Sequence, residues 1–531
     1  MTFSTSFLVD IATSPHSRHT NVPLGCNPTN PHKLSEFHAL HSIHPTYWLR
    51  YPRRFSIMST HLNTPGHIPL NIVVIGGGFT GVAFVIHAIR ACPAGVDLDF
   101  TIVEPSAELG RGIAYGTSDP LHRINVPSDR MGLFANDSTH ATRWLKAHDA
   151  IDAGSSDGQG SFYVSRARYG EYVAATLADV VAEAASHVRV KHQRATATSV
   201  RKIESGYAVT LDDGSHLDAH RVALCFGHTP SKPPGVIDEP ALHDPRLIMH
   251  PWATDALRAI PRDASVLLVG TGLTMADVAV TLIERKHTGR ITAISRRGLR
   301  AQPHGLFSDA ADFLGDTAPP ASARELVRRL RQRIARDGAR IGWQPAADAL
   351  RFDLPRIWNA LPAREQGRVV KRLLPFWDVH RFRIAPQIHT AIERAIESGQ
   401  MSVTTAGIVG ISRVAEHLSA SLRRPGGTHE KHDFDAVVFC TGPARDIDRN
   451  PLVKSLLEGG LARLDAVRIG LDTDLRSQLR NADGEVSPGL LAFGPMTRGS
   501  FGEMTGAPDI ARHLERVLKD GSLLAYTSTS R

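Results

Sequence analysis

Apolar runs pass into glycine turns at two places along this chain. The first run, residues 71–75, leads into Gly76-Gly77-Gly78-Phe79-Thr80-Gly81, and an apolar helical pattern begins at Val82. The second run, residues 266–269, leads into Gly270-Thr271-Gly272-Leu273-Thr274-Met275-Ala276. A strand, a glycine turn and a helix in this order predict the first half of a βαβ unit. We therefore predict an α/β fold with two Rossmann-like units.

Both turns fit the G-x-G-x-x-G pattern of dinucleotide binding, with Ala276 as a looser third position in the second. Gly76 allows the tight turn, Gly78 lets the backbone approach a pyrophosphate, and Gly81 lets the helix pack close to the strand. Each helix also offers free N–H groups and a positive dipole end to the phosphates. One such turn often binds nothing, but two favour binding. The expected contacts are Gly76, Gly78, Phe79, Thr80, Gly81, Gly270, Thr271, Gly272, Leu273 and Thr274.

The second strand of each unit ends in residues of different chemistry. The strand 100–103 ends at Glu104, where a carboxylate accepts hydrogen bonds from ribose hydroxyls, which indicates FAD or NAD. The strand 291–294 ends at Ser295, Arg296 and Arg297, and a guanidinium there suits the 2′-phosphate of NADPH. NADH stays the second possibility. The pair predicts a flavoprotein reduced by a nicotinamide.

Four segments together resemble a known family. They are Gly110 to Gly116, Ile124 to Pro127, Gly270 to Asp277, and Trp377 to Arg383. In combination they resemble the bacterial FAD/NAD(P)-binding protein family from about Ile68 to Leu518. More distantly, the plan is similar to class B flavin monooxygenases, which include lysine and ornithine N-hydroxylases. The signature of the Baeyer–Villiger branch of that class is not matched.

The resemblance implies further FAD contacts. In flavoproteins of this plan the loop after the acidic residue lines the flavin, and closing strands and turns complete the site. A loop that packs only on its own sheet is the alternative for Tyr115 and Pro127. Pro495 stands where many relatives have Asp. The implied residues are Arg111, Gly112, Tyr115, Asn125, Val126, Pro127, Gly227, Gly442, Gly494 and Pro495.

The same plan predicts the order of the domains. An FAD-binding domain occupies 68–235 and 430–520, and an NAD(P)-binding domain occupies 236–300 and 401–429. A helical insert spans 301–400, and 521–531 is a C-terminal tail. Residues 1–67 have a disordered composition, and we favour Met58 as the start of translation over a transit peptide.

Composition narrows the class of protein. Of the formal charge of +8, the segment from Ala321 to Arg383 holds 15 Lys and Arg against 6 Asp and Glu. A solvated helix face or a funnel for NADPH explains this better than a nucleic-acid site, because few aromatics are interleaved. The chain has no apolar run long enough for a membrane span. Isolated Cys26, Cys92, Cys225 and Cys440 argue against a dithiol or a metal site and suggest a cytoplasmic protein.

The resemblance implies an NADPH-using FAD oxidoreductase, and our leading hypothesis is a monooxygenase that attacks a small molecule through a flavin hydroperoxide. An alternative is a reductase that passes electrons to a quinone or a protein, and another is a non-catalytic flavin-binding sensor. His304, His380 and Arg383 are the catalytic candidates. A lone histidine is more often structural than catalytic, and salt-bridged helix ends are the favoured interpretation of the cluster that includes His380 and Arg383.

Overall fold

The protein is described by a computed structural model that covers residues 69–229, 232–253, 255–305, 312–444 and 446–525. The predicted extension at 1–67, with Met58, lies outside the described residues. The strands are β1 (Leu70–Ile75), β2 (Leu98–Val103), β3 (Val188–Gln193), β4 (Ala197–Ile203), β5 (Gly206–Leu211), β6 (His216–Ala219), β7 (Arg221–Leu224), β8 (Val236–Ile237), β9 (Leu247–Ile248), β10 (Val266–Val269), β11 (Ile291–Ser295), β12 (Met401–Thr405), β13 (Gly407–Val414), β14 (His417–Arg423), β15 (His429–Phe434), β16 (Ala436–Phe439), β17 (Gln478–Arg480) and β18 (Val486–Ala492).

The helices separate these strands in the usual α/β manner. They are α1 (Phe79–Arg90), α2 (Gly112–Tyr115), α3 (His140–Ala147), α4 (Arg166–Glu183), α5 (Glu239–Leu242), α6 (Leu273–Glu284), α7 (Ala323–Ile341), α8 (Gln344–Ala360), α9 (Ala363–Arg368), α10 (Leu374–Arg381), α11 (Pro386–Glu397), α12 (Pro451–Glu458), α13 (Arg498–Phe501) and α14 (Ala507–Leu518). A π-helical stretch, Val369–Leu373, joins α9 to α10.

The first sheet has the strand order β17-β18-β7-β1-β2-β3. Strands β2 and β7 flank β1 in parallel, so their carboxyl ends meet at one edge. Alternate residues of β1 face opposite sides: Ile72 and Val74 pack with α1, α4 and α14, whereas Val73 and Ile75 pack under β4–β6 and α12. Strands β4–β6 form an antiparallel meander that precedes β7 and covers one face of the sheet.

The second sheet repeats this plan with the order β12-β11-β10-β16-β9, all parallel. Val266 and Leu268 face α6 and α11, and Leu267 and Val269 face the smaller sheet of β13–β15. The prediction of two Rossmann-like units is confirmed. Helices α7 and α8 form the center of a helical segment with its own apolar core, which includes Leu326, Leu330, Ile334, Leu350 and Ile357.

Three boundaries differ from the sequence-based expectation. Strand β16 pairs with β10 of the second sheet, so the chain returns to the first domain after residue 439 and not at 430. Helix α11 packs on the second sheet through Ile392 and Ala395, so it is a crossover helix of that sheet and not part of the helical insert. Leu523 and Leu524 are buried in the first core, so the tail packs on the first domain as far as the described residues extend.

Two further properties follow from the described residues. None of the described helices is long and apolar enough to cross a membrane. Cys92, Cys225 and Cys440 are free thiols, and burial raises the pKa of Cys225 and of Cys440 well above the usual value for a thiol. Neither buried thiol is therefore in its reactive thiolate form near neutral pH.

Candidate functional site

The first glycine turn joins β1 to α1 at the carboxyl edge of the first sheet. Gly76 has φ +102°, and a Cβ there would lie 2.7 Å from the Phe226 backbone at the end of β7. A Cβ on Gly81 would lie 1.9 Å from the Gly76 carbonyl oxygen, so only glycine lets α1 start this close to β1. Among the described residues, no side chain caps the amino terminus of α1. Its free N–H groups are therefore available to an anion.

Glu104 lies against this turn, as the ribose-binding hypothesis requires. Its Oε2 accepts a hydrogen bond of 2.9 Å from the Gly77 N–H, and its Oε1 accepts one of 3.0 Å from the Ser106 N–H. The two segments are in close contact at this point, because a Cβ on Gly77 would lie 2.7 Å from the Glu104 Cβ. Two N–H donors thus fix the carboxylate beside the glycine turn, where it can accept further hydrogen bonds from ribose hydroxyls.

The loop after Glu104 returns to the same turn. A Cβ on Gly78 would lie 3.3 Å from the Gly112 Cα, so both turns need a small residue at this contact. Arg111 forms an ion pair with Glu108, with 2.8 Å between its Nε and the carboxylate. Its guanidinium is therefore not committed to the glycine turn. The Tyr115 ring packs against the Tyr169 ring with a 4.7 Å centroid separation. Tyr115 therefore packs on α4, and its contact with a flavin stays a prediction.

His304 connects two segments that are distant in the sequence. It lies after the second glycine turn and contacts the loop at Asn125. Its Nε2 lies 2.7 Å from the Asn125 carbonyl oxygen, and its ring packs beside Tyr163. Burial, reinforced by the nearby charge of Arg383, lowers the pKa of His304 to about 4. Val126 packs on the first core, and Pro127 starts a short 3-10 helix, Ser128–Arg130. A neutral His304 thus anchors the backbone at Asn125.

The second glycine turn lies at the carboxyl edge of the second sheet. Gly270 has φ +120°, and a Cβ there would lie 2.3 Å from the Cys440 carbonyl oxygen at the end of β16. Gly272 precedes α6, whose amino terminus has no side-chain cap, and a Cβ on Gly272 would meet nothing within 4 Å. Thr271 Oγ1 donates a hydrogen bond of 2.8 Å to Ser295 Oγ. Leu273 and Thr274 form the first turn of α6.

Arg296 and Arg297 directly follow β11 and are exposed. The Arg297 guanidinium lies 5.9 Å from the center of the Phe376 ring, which is a loose cation–π contact. Both side chains therefore extend from the strand end that borders the second glycine turn. This is the position at which a 2′-phosphate would be recognised.

The remaining predicted glycines divide between the two sheets. Gly494 follows β18 with φ +77°, and a Cβ there would lie 2.8 Å from Thr80 Oγ1 in the first turn of α1. Pro495 belongs to the short helix Gly494–Thr497. Gly227 follows β7 of the first sheet. Gly442 follows β16 of the second sheet and not a strand of the predicted FAD-binding domain, and its contact with FAD stays a prediction.

Two of the catalytic candidates have structural contacts. His380 is buried; its Nδ1 lies 2.7 Å from the Phe376 carbonyl oxygen, and its ring packs edge-on against Trp343. Burial also lowers the pKa of His380. Arg383 forms a bidentate pair with Asp348, at 2.9 and 3.1 Å. These contacts agree with the favoured interpretation of salt-bridged helix ends.

A buried group of charges was not identified from sequence. Arg381 Nε and Nη2 donate to the Glu503 carboxylate at 3.1 and 3.2 Å, and Arg381 Nη2 also donates to Asp509 Oδ2 at 3.0 Å. Arg351 Nε donates to the same Asp509 oxygen at 3.1 Å. We call Arg351, Arg381, Glu503 and Asp509 the charge cluster. In the sequence, this cluster is indicated only by the dense polar segment Trp377 to Arg383, which contains Arg381.

Residues 73–229 match a family model described as FAD-NAD(P)-binding. The match contains the first glycine turn, Glu104 and the loop as far as Pro127. These residues form an FAD-NAD(P)-binding domain. The predicted resemblance of this part of the chain to FAD/NAD(P)-binding proteins is confirmed. No curated protein sequence matches the chain.

Solved structures extend the likeness beyond this FAD-NAD(P)-binding domain to most of the chain. The ornithine N-hydroxylase of Kutzneria sp. 744, solved with reduced FAD, NADP⁺ and L-ornithine, is 14% identical, with a TM-score of 0.58 over 86% of this chain and 99% of that one. The ornithine hydroxylase of Pseudomonas aeruginosa is 16% identical, with a TM-score of 0.57 over 86% and 99%. The cadaverine monooxygenase of Erwinia amylovora is 12% identical, with a TM-score of 0.56 over 88% and 97%. These likenesses establish the fold.

Proposed function

We propose that this protein is an NADPH-dependent FAD oxidoreductase and that it acts as a monooxygenase on a small molecule, with oxygen as the second substrate. One observation carries the proposal. Two glycine turns lie at the carboxyl edges of the parallel strands of two separate sheets, and each precedes a helix whose amino terminus is not capped by any side chain in the described part of the chain. Ligands of open parallel sheets bind at this edge. The molecule thus offers two dinucleotide sites.

The first site fits FAD through its backbone and Glu104. The free end of α1 would receive the pyrophosphate, and the Glu104 carboxylate would accept hydrogen bonds from the ribose. Thr80 and Gly494 meet at the same edge and would border the ribityl chain. The FAD-NAD(P)-binding match at 73–229 supports this assignment.

The second site fits NADPH. No described atom lies within 4 Å of a Cβ built on Gly272, so a pyrophosphate would approach the free end of α6 from this side. Exposed Arg296 and Arg297 would bind the 2′-phosphate with charge-assisted hydrogen bonds. Arg111, in contrast, is held by Glu108, so its contribution to the first pyrophosphate would require that pair to open.

The choice of a monooxygenase rests on the fold and on the thiols. The similar solved structures described above are an N-hydroxylase, a hydroxylase and a monooxygenase. The buried thiols Cys225 and Cys440 have raised pKa values, which disfavours a dithiol that receives electrons from the flavin. FAD, when bound, supplies the hydride acceptance and the oxygen chemistry. His304 holds the Asn125 loop in place, and its lowered pKa leaves the imidazole neutral near neutral pH, so it is not an imidazolium acid there.

The test is anaerobic mixing of the purified protein with NADPH or NADH while the flavin absorbance is followed. We expect bound flavin, and faster bleaching with NADPH than with NADH. Oxygen is then readmitted. A slow return of the oxidised flavin spectrum, accelerated by a small amine, supports the monooxygenase.

The other outcomes separate the alternatives. Immediate return of the oxidised spectrum, unaffected by small molecules, favours the reductase. Purified protein without flavin, and unable to bind added FAD, would falsify the proposal as a whole. Reduction too slow for turnover, with no effect of any acceptor, favours the sensor.

A further inference from the structure

The charge cluster lies deep in the protein, although burial of charges is costly. Arg381 and Glu503 have side chains only 3% exposed, Asp509 is 8% exposed, and Arg351 is 19% exposed. Apolar side chains of similar volume would stabilise a fold at least as well as buried ion pairs do. Stability alone therefore does not explain why four charges meet here.

The cluster joins two parts of the chain at one helix end. Arg351 and Arg381 come from α8 and α10 of the helical segment, whereas Glu503 and Asp509 flank the amino terminus of α14. A Cβ on Gly506, the residue before α14, would lie 2.7 Å from Arg381 Nη2. Trp358 Nε1 in α8 also donates to the Gly499 carbonyl oxygen at 2.6 Å. The helical segment thus holds the chain that leads into α14.

This helix end lies at the ligand-binding edge of the first sheet. Ala492 of β18 pairs with Leu224 of β7, which in turn pairs with Ile75 of β1, so the three strands end together. Helix α14 follows β18 and packs beside α1 in the same core. The amino termini of α1 and α14 therefore both lie at the edge where the proposed FAD binds.

The side chains of the cluster keep their charges, so the electrostatic field that they produce does not change with pH. Burial alone would raise the pKa of Glu503, but Arg381, Arg498 and Arg351 outweigh it and lower that pKa to about 2. Thr505 Oγ1 donates a further hydrogen bond of 2.6 Å to Glu503 Oε1. Glu503 thus stays ionised across the working range of pH. Arg512 also lies 3.6 Å from the Asp509 carboxylate, so guanidiniums outnumber carboxylates around this helix end.

We infer that the charge cluster is a positioning device that fixes the amino terminus of α14 and sets the reduction potential of the bound flavin. The inference rests on the proposed function, because it needs a flavin at this edge. Reduced flavin carries negative charge, so positive charge in a buried site stabilises it relative to the oxidised form. Removal of a carboxylate and removal of a guanidinium must therefore act in opposite directions.

The test measures the midpoint potential of the flavin in the complete holoprotein at one pH. We expect Glu503→Gln to make the potential more positive and Arg381→Gln to make it more negative. Arg381→Lys, which keeps the charge, should restore most of the wild-type potential. Glu458→Gln on the exposed face of α12 is the matched control, because its side chain is 67% exposed and should leave the potential unchanged.

The outcomes separate this inference from the proposed function. If wild-type protein binds no flavin, the proposed function fails and the inference fails with it. If flavin binds and NADPH reduces it, but the two variants shift the potential in the same direction or not at all, only the inference is overturned. If a buried variant does not fold, Arg351→Gln and Arg351→Lys decide, because Arg351 lies at the rim. Arg351→Gln should lower the potential, and Arg351→Lys should not.

Discussion

Arg166 in α4 of the first domain forms an ion pair with Asp277 in α6 of the second, with 2.9 Å between Nη2 and Oδ2. The angle is not that of a hydrogen bond, but both side chains are nearly buried, at 11% and 9% exposed. Thr281, one turn further along α6, donates to Asp119 of the first domain at 2.9 Å. Polar contacts therefore fix α6, and with it the second glycine turn, to the first domain.

Loss of this ion pair should destabilise the fold. Asp277→Asn leaves the Arg166 charge buried without its partner, which costs about 3 kcal/mol in the free energy of unfolding. Urea unfolding of both proteins measures the difference. Asp255→Asn is the control, because Asp255 and Arg258 form an exposed pair whose loss costs about 0.5 kcal/mol or less. Equal effects of the two changes would contradict a structural role for the buried pair.

Gly81 should tolerate no side chain. A Cβ there would lie 1.9 Å from the Gly76 carbonyl oxygen, so Gly81→Ala must push α1 away from β1. We expect loss of flavin and a fall of at least about 2 kcal/mol in the free energy of unfolding, as for other overpacked sites. Gly367→Ala in α9 is the control: a Cβ there meets nothing within 4 Å, and alanine favours helix by about 1 kcal/mol. A stable, flavin-bound Gly81→Ala protein would refute this packing argument.

Gly272 should tolerate a side chain for folding but not for binding. A Cβ there meets no protein atom within 4 Å, yet it would occupy the space through which the NADPH pyrophosphate approaches α6. Gly272→Ala should therefore keep its flavin and its unfolding midpoint. Its Kd for NADPH should be about tenfold higher, which is a loss of about 1.4 kcal/mol in binding free energy. Titration of NADPH against flavin reduction measures this. Gly407→Ala in β13, also open around its Cβ, should bind NADPH normally.

Local pattern was sufficient for the parts of this site that are built from consecutive residues. Each glycine turn follows its strand directly, so the roles of Gly76, Gly81 and Gly270 could be predicted from their order alone. The same holds for Glu104, which ends the neighbouring strand and contacts the turn at Gly77. Sequence order and the parallel βα rule together determine these neighbours.

Pairing partners and long-range charge contacts were not accessible in this way. Strand β16 has the same apolar character as β7, and nothing in either sequence specifies which sheet accepts it. Gly442 was consequently placed in the FAD-binding domain, although the strand before it belongs to the second sheet. Arg381 and Glu503 are 122 residues apart, so no spacing rule connects them. Such contacts are specified by the packing of whole elements, which a local pattern does not contain.

Arg296 should set the choice of nicotinamide. The side chain is exposed at the end of β11 and can bind a 2′-phosphate with charge-assisted hydrogen bonds, each worth about 1.5–3 kcal/mol. Arg296→Gln should lower the ratio of kcat/KM for NADPH over NADH by about tenfold to a hundredfold and leave the rate with saturating NADH unchanged. Arg143→Gln on the exposed face of α3 is the matched control. An unchanged ratio would place the 2′-phosphate elsewhere.

His513 should make the stability of the protein depend on pH. Its Nε2 lies 2.7 Å from Ser477 Oγ, and burial lowers its pKa from 6.5 to about 3. The unfolded chain therefore takes up a proton first as the pH falls, so His513 removes stability from about pH 6.5 downward, by about 1.4 kcal/mol per pH unit. Urea unfolding at pH 7.5, 6 and 5 should show a shallower decline for His513→Gln than for wild type. His216→Gln, a change at an exposed site, should keep the wild-type slope, and parallel slopes for all three proteins would contradict the buried neutral imidazole.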